Sequence, residues 1–383
     1  MTIGFTSRAA VSACVLCAAG LPAAGPAAAI AGVDPGPRAA AAALLYRPGT
    51  HVRPRPGAPE VPDPSALSWL VADARTGDVL AAHDAHRRLP PASTIKTLFA
   101  LTVLPALPAG IRHRVGAKEL AGIGPGSSLV GVAEDRTYRV SDLWNGVFLS
   151  SGNDAVRVLA ALSGGWQAAA ERMQAKARAL GARDTRVTSP DGYDAPGQVS
   201  SAYDLAVFGR AGLHNREFAR YCARHEARFP ARDGGSYGIV NTNRLLTGAD
   251  GVEPYRGLIG IKNGYTGDAG HTLVAAARRD GHTLVVTVMN PRSGDGHAVY
   301  EEARTLLDWG FEAAGQVNPV GSLDALRPAP PRGPEAESAT ASAPRRTDTP
   351  AHPLTWPIAA AALLGAASVS LYLRLRWGPV PTN

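Results

Sequence analysis

Cysteine is almost missing: the chain has three in 383 residues, and Cys14 and Cys17 both fall in its first thirty-one. Cys222 therefore stands alone in the rest, which excludes an intrachain disulfide framework there. A metal-site signature is missing too. Of ten histidines only His83 and His86 are closely spaced, in a turn-like stretch beside Asp84, so surface histidines are expected and no metal or organic cofactor is called for. Aromatic residues make up 6% of the chain. The basic excess, 39 Lys and Arg against 32 Asp and Glu, consists of arginines spread along the sequence with no aromatic interleaving and no recognisable DNA-binding module. That pattern predicts no nucleic-acid partner and fits attraction to an anionic envelope.

Long apolar runs occur only at the two ends. Residues 1–31 carry Arg8, an Ala/Val/Cys/Leu stretch and the small-x-small site Ala29-Ile30-Ala31, which reads as a secretory signal peptide. Leu354 to Leu373 is an uncharged stretch of the length, about 20 residues, that crosses a bilayer, and Arg374 and Arg376 follow it at once. The positive-inside bias predicts a single-pass cell-membrane protein with residues 374–383 as a cytoplasmic tail and the bulk of the chain outside. Residues 32–64 read as a Pro/Ala-rich leader. Residues 316–353, rich in Pro, Ala, Ser, Thr and charge without periodicity, read as a disordered linker. Residues 65–315 remain, enough for a sizeable core.

Within that region Pro90-Pro91-Ala92-Ser93-Thr94-Ile95-Lys96 precedes an apolar run. The prolines disfavour helix before themselves and are tolerated at its start, so a helix is predicted from about Ser93 to Leu104. Ser93 and Lys96 then share a face one turn apart, with the hydroxyl at the positive end of the helix. A lysine desolvated by aliphatic neighbours loses its proton readily and can act as base toward the serine. Two further segments have the same flavour: Ser151-Gly152-Asn153 after a short helix, predicted to lie in a loop, and Lys262-Asn263-Gly264 on a strand. Short strands are expected at Ser68 to Ala72 and Val79 to Ala82. Helices are expected over Asp142 to Leu149 with Ser141 as N-cap, Trp166 to Leu180 and Tyr300 to Phe311. His271 to Arg279 and His282 to Met289 should form a hairpin turning at Asp280-Gly281. Strands at both ends with helices between predict an α+β fold: an antiparallel sheet flanked by helices, plus a helical subdomain.

The ordered set Ser-x-x-Lys, Ser-x-Asn, Lys-x-Gly resembles that of penicillin-binding proteins and class A β-lactamases. Ser151-Gly152-Asn153-Asp154-Ala155, Ser189-Pro190-Asp191-Gly192, Ser201-Ala202-Tyr203-Asp204 and Ala269-Gly270-His271-Thr272 narrow the similarity to the serine-type D-alanyl-D-alanine carboxypeptidases, low-molecular-mass penicillin-binding proteins that trim peptidoglycan. The resemblance covers about residues 65 to 312. It implies the β-lactamase/transpeptidase fold, Ser93 as nucleophile, Lys96 as general base, Ser151 as proton relay, and Asn153, Lys262, Asn263, Tyr265 and Thr266 as substrate-binding residues. The implied oxyanion hole is the backbone N–H pair of Ser93 and Tyr265. The implied partners are stem peptides ending in D-Ala-D-Ala, with β-lactams as covalent inhibitors. Two positions depart from the family pattern: Asn263 stands where threonine is usual, and the arginine expected near the last helix has no counterpart around His297 to Tyr300, leaving Arg292 as the nearest candidate. A catalytically weak scaffold of the envelope and a β-lactamase are the competing readings. Against the latter, no Glu-x-x-Leu-Asn segment lies between Asn153 and Lys262.

Overall fold

The structure, a computed structural model, describes residues 43–328. The signal segment, the linker beyond residue 328, the apolar run 354–373 and the tail lie outside the described residues. No helix among the described residues is long and apolar enough to cross a membrane.

The frame is a seven-stranded antiparallel sheet built from β1 (Thr50–Val52), β2 (Ala66–Asp73), β3 (Asp78–His83), β8 (Leu258–Thr266), β9 (Gly270–Arg279), β10 (His282–Pro291) and β11 (Gly321–Ser322). Its order is β1-β3-β2-β10-β9-β8, with β11 also paired to β3. Two small two-stranded sheets lie apart from it, β4 (Arg112–Arg114) with β5 (Thr137–Arg139), and β6 (Glu226–Pro230) with β7 (Ser236–Val240). The turn joining β9 and β10 is the predicted one. Asp280 and Gly281 have φ of 49° and 80°, the left-handed values that a two-residue turn of this class requires. Between β2 and β3, Asp73 Oδ1 accepts the N–H groups of Arg75 and Thr76, each at 2.8 Å, closing the expected Arg75-Asp78 turn.

Alternation places successive side chains of the central strands on opposite faces. Leu273, Ala275, Val286 and Val288 meet Val299, Ala303, Leu306 and Leu307 of the Ala298–Ala313 helix. Val274, Ala276, Val285 and Met289 face the larger core shared by the Lys96–Val103 and Ala202–Leu213 helices. With both faces covered, the strands read as continuous apolar runs. The Val140–Leu149, Asn153–Leu162 and Trp166–Ala179 helices supply the rest of that core and form the helical part of an α+β molecule.

Several boundaries differ from expectation. Residues 50–52 of the expected leader pair with β3, and so do residues 321–322 of the expected linker. Arg55 donates to Asn318 Oδ1 at 3.0 and 2.9 Å, and Arg210 Nη1 reaches both oxygens of Asp324 at 2.9 Å, so residues 316–328 are folded rather than linker. Both additions dress the outer edge of β3 through backbone hydrogen bonds, which carry almost no residue preference; Pro/Ala-rich composition conceals them. Ser141 is not a cap. The helix starts at Val140, and Asp142 reaches back to the Arg139 N–H at 3.0 Å. Asn153, expected in a loop, is the first residue of its helix.

Candidate active site

Ser93 lies in a 3-10 turn over Ala92–Ile95, and the α-helix proper begins at Lys96. Ala92 takes a φ of 47°, an uncommon value for a residue with a Cβ. Hydroxyls hold this turn in place: Thr94 Oγ1 and Thr272 Oγ1 both donate to the Pro91 carbonyl, at 2.5 and 3.0 Å. Thr272 belongs to β9, so the sheet itself fixes where the serine stands.

Lys96 is 1% exposed. Its Nζ lies 2.7 Å from Ser93 Oγ, 2.7 Å from Asn153 Oδ1 and 2.5 Å from the Asp191 carbonyl oxygen. Burial lowers its pKa from the usual lysine value to about 8, against the opposing pull of the Asp191 and Asp154 carboxylates. As an ammonium, Nζ donates to all three, Ser93 Oγ included. Once it gives up a proton, the two pure acceptors hold the two remaining N–H groups and the lone pair faces the Ser93 hydroxyl.

Two glycines let backbone close on this turn. Gly192 has a φ of 81°, and a Cβ there would stand 2.1 Å from the Ala92 carbonyl oxygen. The close approach brings the neighbouring Asp191 carbonyl to Lys96. On the opposite side a Cβ on Gly264 of β8 would stand 2.7 Å from the Ser93 nitrogen and 2.8 Å from Thr272 Oγ1. Glycine in the third motif is thus a requirement of contact between an edge strand and the nucleophile's backbone.

Ser151 joins the Val140–Leu149 and Asn153–Leu162 helices with a left-handed φ of 56°. Its Oγ is buried without a hydrogen-bond partner. A buried hydroxyl without a partner is a donor and an acceptor left for a group outside the fold to satisfy. Asn153 is aimed by its helix, and Asp154 beside it accepts the N–H groups of Val130, Gly131 and Val132 at 3.0, 2.8 and 2.8 Å. Asp154 therefore anchors the 125–132 loop that walls the cleft, a role that residue spacing did not reveal.

Lys262 is 2% exposed, and burial first, then the charge of Lys96, keeps its pKa well below the ordinary lysine range. Its Nζ donates to the Asn263 carbonyl at 2.8 Å. Asn263 in turn accepts from Thr242 Oγ1 at 3.0 Å and donates from Nδ2 to the Tyr300 hydroxyl at 3.2 Å. Arg244 follows, its Cζ 5.5 Å from the Tyr300 ring and its Nε 2.8 Å from Asp250 Oδ2. The expected Arg292 is exposed after β10, with its N–H bonded to Ser65 Oγ at 3.0 Å. The arginine beside Tyr300 is Arg244, the first residue of a one-turn helix, Arg244–Thr247, on which sequence reasoning had no hold. Thr266 accepts the Ala269 N–H at 3.2 Å, and Tyr265 lies at the rim, 63% exposed, its ring centroid 4.5 Å from that of His271. Ser93, Asn153, Tyr265 and Thr266 line one cavity of about 200 Å³. A larger cavity of about 460 Å³ lies elsewhere, between residues 45–48 and His86, and contains none of these groups.

The profile of the D-alanyl-D-alanine carboxypeptidase family matches residues 56–293. The chain is 42% identical over 270 residues to D-alanyl-D-alanine carboxypeptidase DacB2 of Mycobacterium tuberculosis, covering 70% of this chain and 89% of that one. It is 34% identical to D-alanyl-D-alanine carboxypeptidase DacD of Escherichia coli, over 67% of this chain and 65% of that one. A crystal structure of D-alanyl-D-alanine carboxypeptidase from Mycobacterium tuberculosis superposes with a TM-score of 0.64 at 39% identity, over 71% of this chain and all of that one. The α+β architecture is that of the penicillin-binding fold.

Proposed function

The chain belongs to the D-alanyl-D-alanine carboxypeptidase family, and from that premise we propose that it removes the terminal D-alanine of peptidoglycan stem peptides through an acyl-enzyme on Ser93. It is a serine-type peptidase hydrolase. In the proposed reaction Ser93 Oγ attacks the carbonyl of the D-Ala-D-Ala bond and its proton passes to Lys96 Nζ. The backbone N–H groups of Ser93 and Tyr265 hold the oxyanion, a contribution of about 3 kcal/mol per donor in the transition state. Ser151, with its unpartnered hydroxyl, relays a proton to the departing amine, and free D-alanine leaves. Water then attacks the ester, and Ser93 recovers its hydrogen.

Asn153 would bind the substrate amide. Lys262, Asn263 and Thr266 would face the terminal carboxylate, with Thr242 and Tyr300 orienting the Asn263 amide that stands in for a hydroxyl. One observation carries the reading: Lys96 Nζ sits 2.7 Å from Ser93 Oγ with its remaining partners limited to two acceptors. The test is a labelled β-lactam. We expect one covalent adduct per chain, mapped by peptide mass spectrometry to Ser93; an adduct on Ser150 or Ser151 would refute the assignment.

We also propose that the chain is exported and held by one C-terminal span, with the catalytic domain outside. The support is the signal-like segment 1–31, the uncharged run 354–373 and the arginine pair after it. Truncation before Leu354 should release a soluble protein with unchanged activity on a small D-Ala-D-Ala peptide. Retention on membranes after signal cleavage would overturn this topology.

A further inference from the structure

The cavity of about 460 Å³ that holds none of the catalytic groups is lined by Arg47, Arg87 and Arg88 together with Tyr46 and His86. Another, of about 680 Å³, is lined by Arg178, Arg183 and Arg186. All six arginines are exposed. The two cavities are neighbours: Asp184 lines the first, and Arg183 and Thr185 on either side of it line the second. Backbone bridges join Leu89 to Ser200 and Val199 to Arg186, so one extended segment separates the run holding Arg87 and Arg88 from Arg186, a span of roughly 10 Å. No carboxylate lines the second cavity, and among the described residues none lies within 4 Å of its three guanidinium groups. The first cavity has two, both engaged by the fold. Asp84 Oδ1 accepts the Gly49 N–H at 2.7 Å, and Arg87 lies 3.4 Å from its other oxygen. Asp184 Oδ2 accepts from Ser201 Oγ at 2.8 Å and lies 2.7 Å from His86 Nδ1, with Arg88 3.7 Å from Oδ1. Tyr46 is 54% exposed, its ring stacked on that of His86 with centroids 3.9 Å apart. An exposed tyrosine among arginines suits a surface that meets lipid headgroups: the amphipathic ring sits at the boundary and the guanidinium groups take the anions.

The path of the chain favours a membrane over a soluble polyanion. Tyr46 and Arg47 stand near the start of the described residues, which begin at 43. At the other end a Cβ on Gly181 would stand 2.5 Å from the Leu326 carbonyl carbon and 2.6 Å from the Arg327 nitrogen. The chain therefore passes over Gly181, two residues before Arg183, just before the described residues end at 328. Residues 329–353 lead from there to the uncharged run 354–373. Both ends of the described chain thus meet the arginine face, and a span at 354–373 would draw that face toward the bilayer.

We propose that this face docks the catalytic domain on anionic phospholipid, an inference that rests on the C-terminal span proposed above. The test is arginine footprinting of the full chain in nanodiscs of phosphatidylcholine alone or of phosphatidylcholine mixed with phosphatidylglycerol. Phenylglyoxal modifies accessible guanidinium groups, and peptide mass spectrometry reads the rate at each arginine. Arg87, Arg88, Arg178, Arg183 and Arg186 should react at least about fivefold more slowly on the anionic discs at low salt, and the difference should shrink as ionic strength rises. Arg112 and Arg139, exposed on β4 and β5 and lining neither cavity, should keep their rates. Equal reactivity on the two discs, protection indifferent to salt, or equal slowing of Arg112 and Arg139 overturns the inference while leaving the span in place. Protection by soluble polyphosphate but by neither disc assigns the face to a polyanion and overturns it as well. Failure of the full chain to enter either disc overturns the span and this inference together.

Discussion

Ser93→Ala is expected to end both D-alanine release and β-lactam labelling, with a fall in turnover of at least about 10⁴-fold, the scale found when the nucleophile of an acyl-transfer enzyme is removed. The effect should be this large because the other serines of the site lack the necessary neighbour: the lysine contact at 2.7 Å belongs to Ser93. The fold should survive. Ser93 caps neither helix, and the turn that holds it is fixed by Thr94 and Thr272 on the Pro91 carbonyl. Loss of one hydroxyl contact costs about 1 kcal/mol, a small part of the stability of a domain this size. Labelling with a fluorescent penicillin, alongside a thermal melt, checks both halves; persistent labelling in a folded Ser93→Ala protein would remove Ser93 from the chemistry.

Lys96→Arg is expected to slow acylation by at least about 100-fold, the lower end of what general-base catalysis contributes. Arginine keeps the positive charge but does not give up its proton near neutrality, so it offers Ser93 no lone pair. The wild-type protein should show the same dependence through pH. With its pKa lowered to about 8 by burial, Lys96 is neutral above that value and protonated below it. Acylation should therefore rise by close to tenfold per pH unit on the acid side and level off above about 8. Rates of β-lactam acylation from pH 6 to 9 measure this directly. A flat profile, or near-normal acylation by Lys96→Arg, would take the lysine out of the role of base.

The residues that carry these predictions were legible in the sequence for a simple reason: Ser93 and Lys96 are one turn apart, and local geometry alone sets their contact. The β9–β10 hairpin was legible because Asp280-Gly281 suits a turn with two left-handed residues. What stayed hidden depends on contacts between segments far apart in the chain. Thr242 and Tyr300 meet Asn263 from distant parts of the chain, with Arg244 beside the Tyr300 ring, and no spacing connects these segments. The Asp191 group that meets Lys96 is a backbone carbonyl, which any residue could offer; the readable trace was Gly192, whose missing side chain lets that loop approach. The short strands β1 and β11 stayed hidden for a related reason. They attach to β3 by main-chain hydrogen bonds, so a Pro/Ala-rich stretch and an apparent linker became parts of the sheet.

The orphaned Ser151 hydroxyl and the two buried lysines have one thing in common: each is costly to bury, and each can exchange a proton or a hydrogen bond with a substrate. An unpartnered buried hydroxyl costs about 1–3 kcal/mol. Two buried amines, the charge of Lys96 disfavouring that of Lys262, are a poor way to stabilise a core. Such conflicts between local stability and local chemistry concentrate where a substrate is meant to resolve them.

The most direct test is mass spectrometry of a stem pentapeptide ending in D-Ala-D-Ala after incubation with the purified full chain. The account predicts loss of one D-alanine and no further trimming, with the reaction blocked by prior treatment with a β-lactam that remains bound. An unchanged pentapeptide under conditions where the protein is folded would contradict it and favour a scaffold role, and rapid turnover of the β-lactam would contradict it in favour of a β-lactamase.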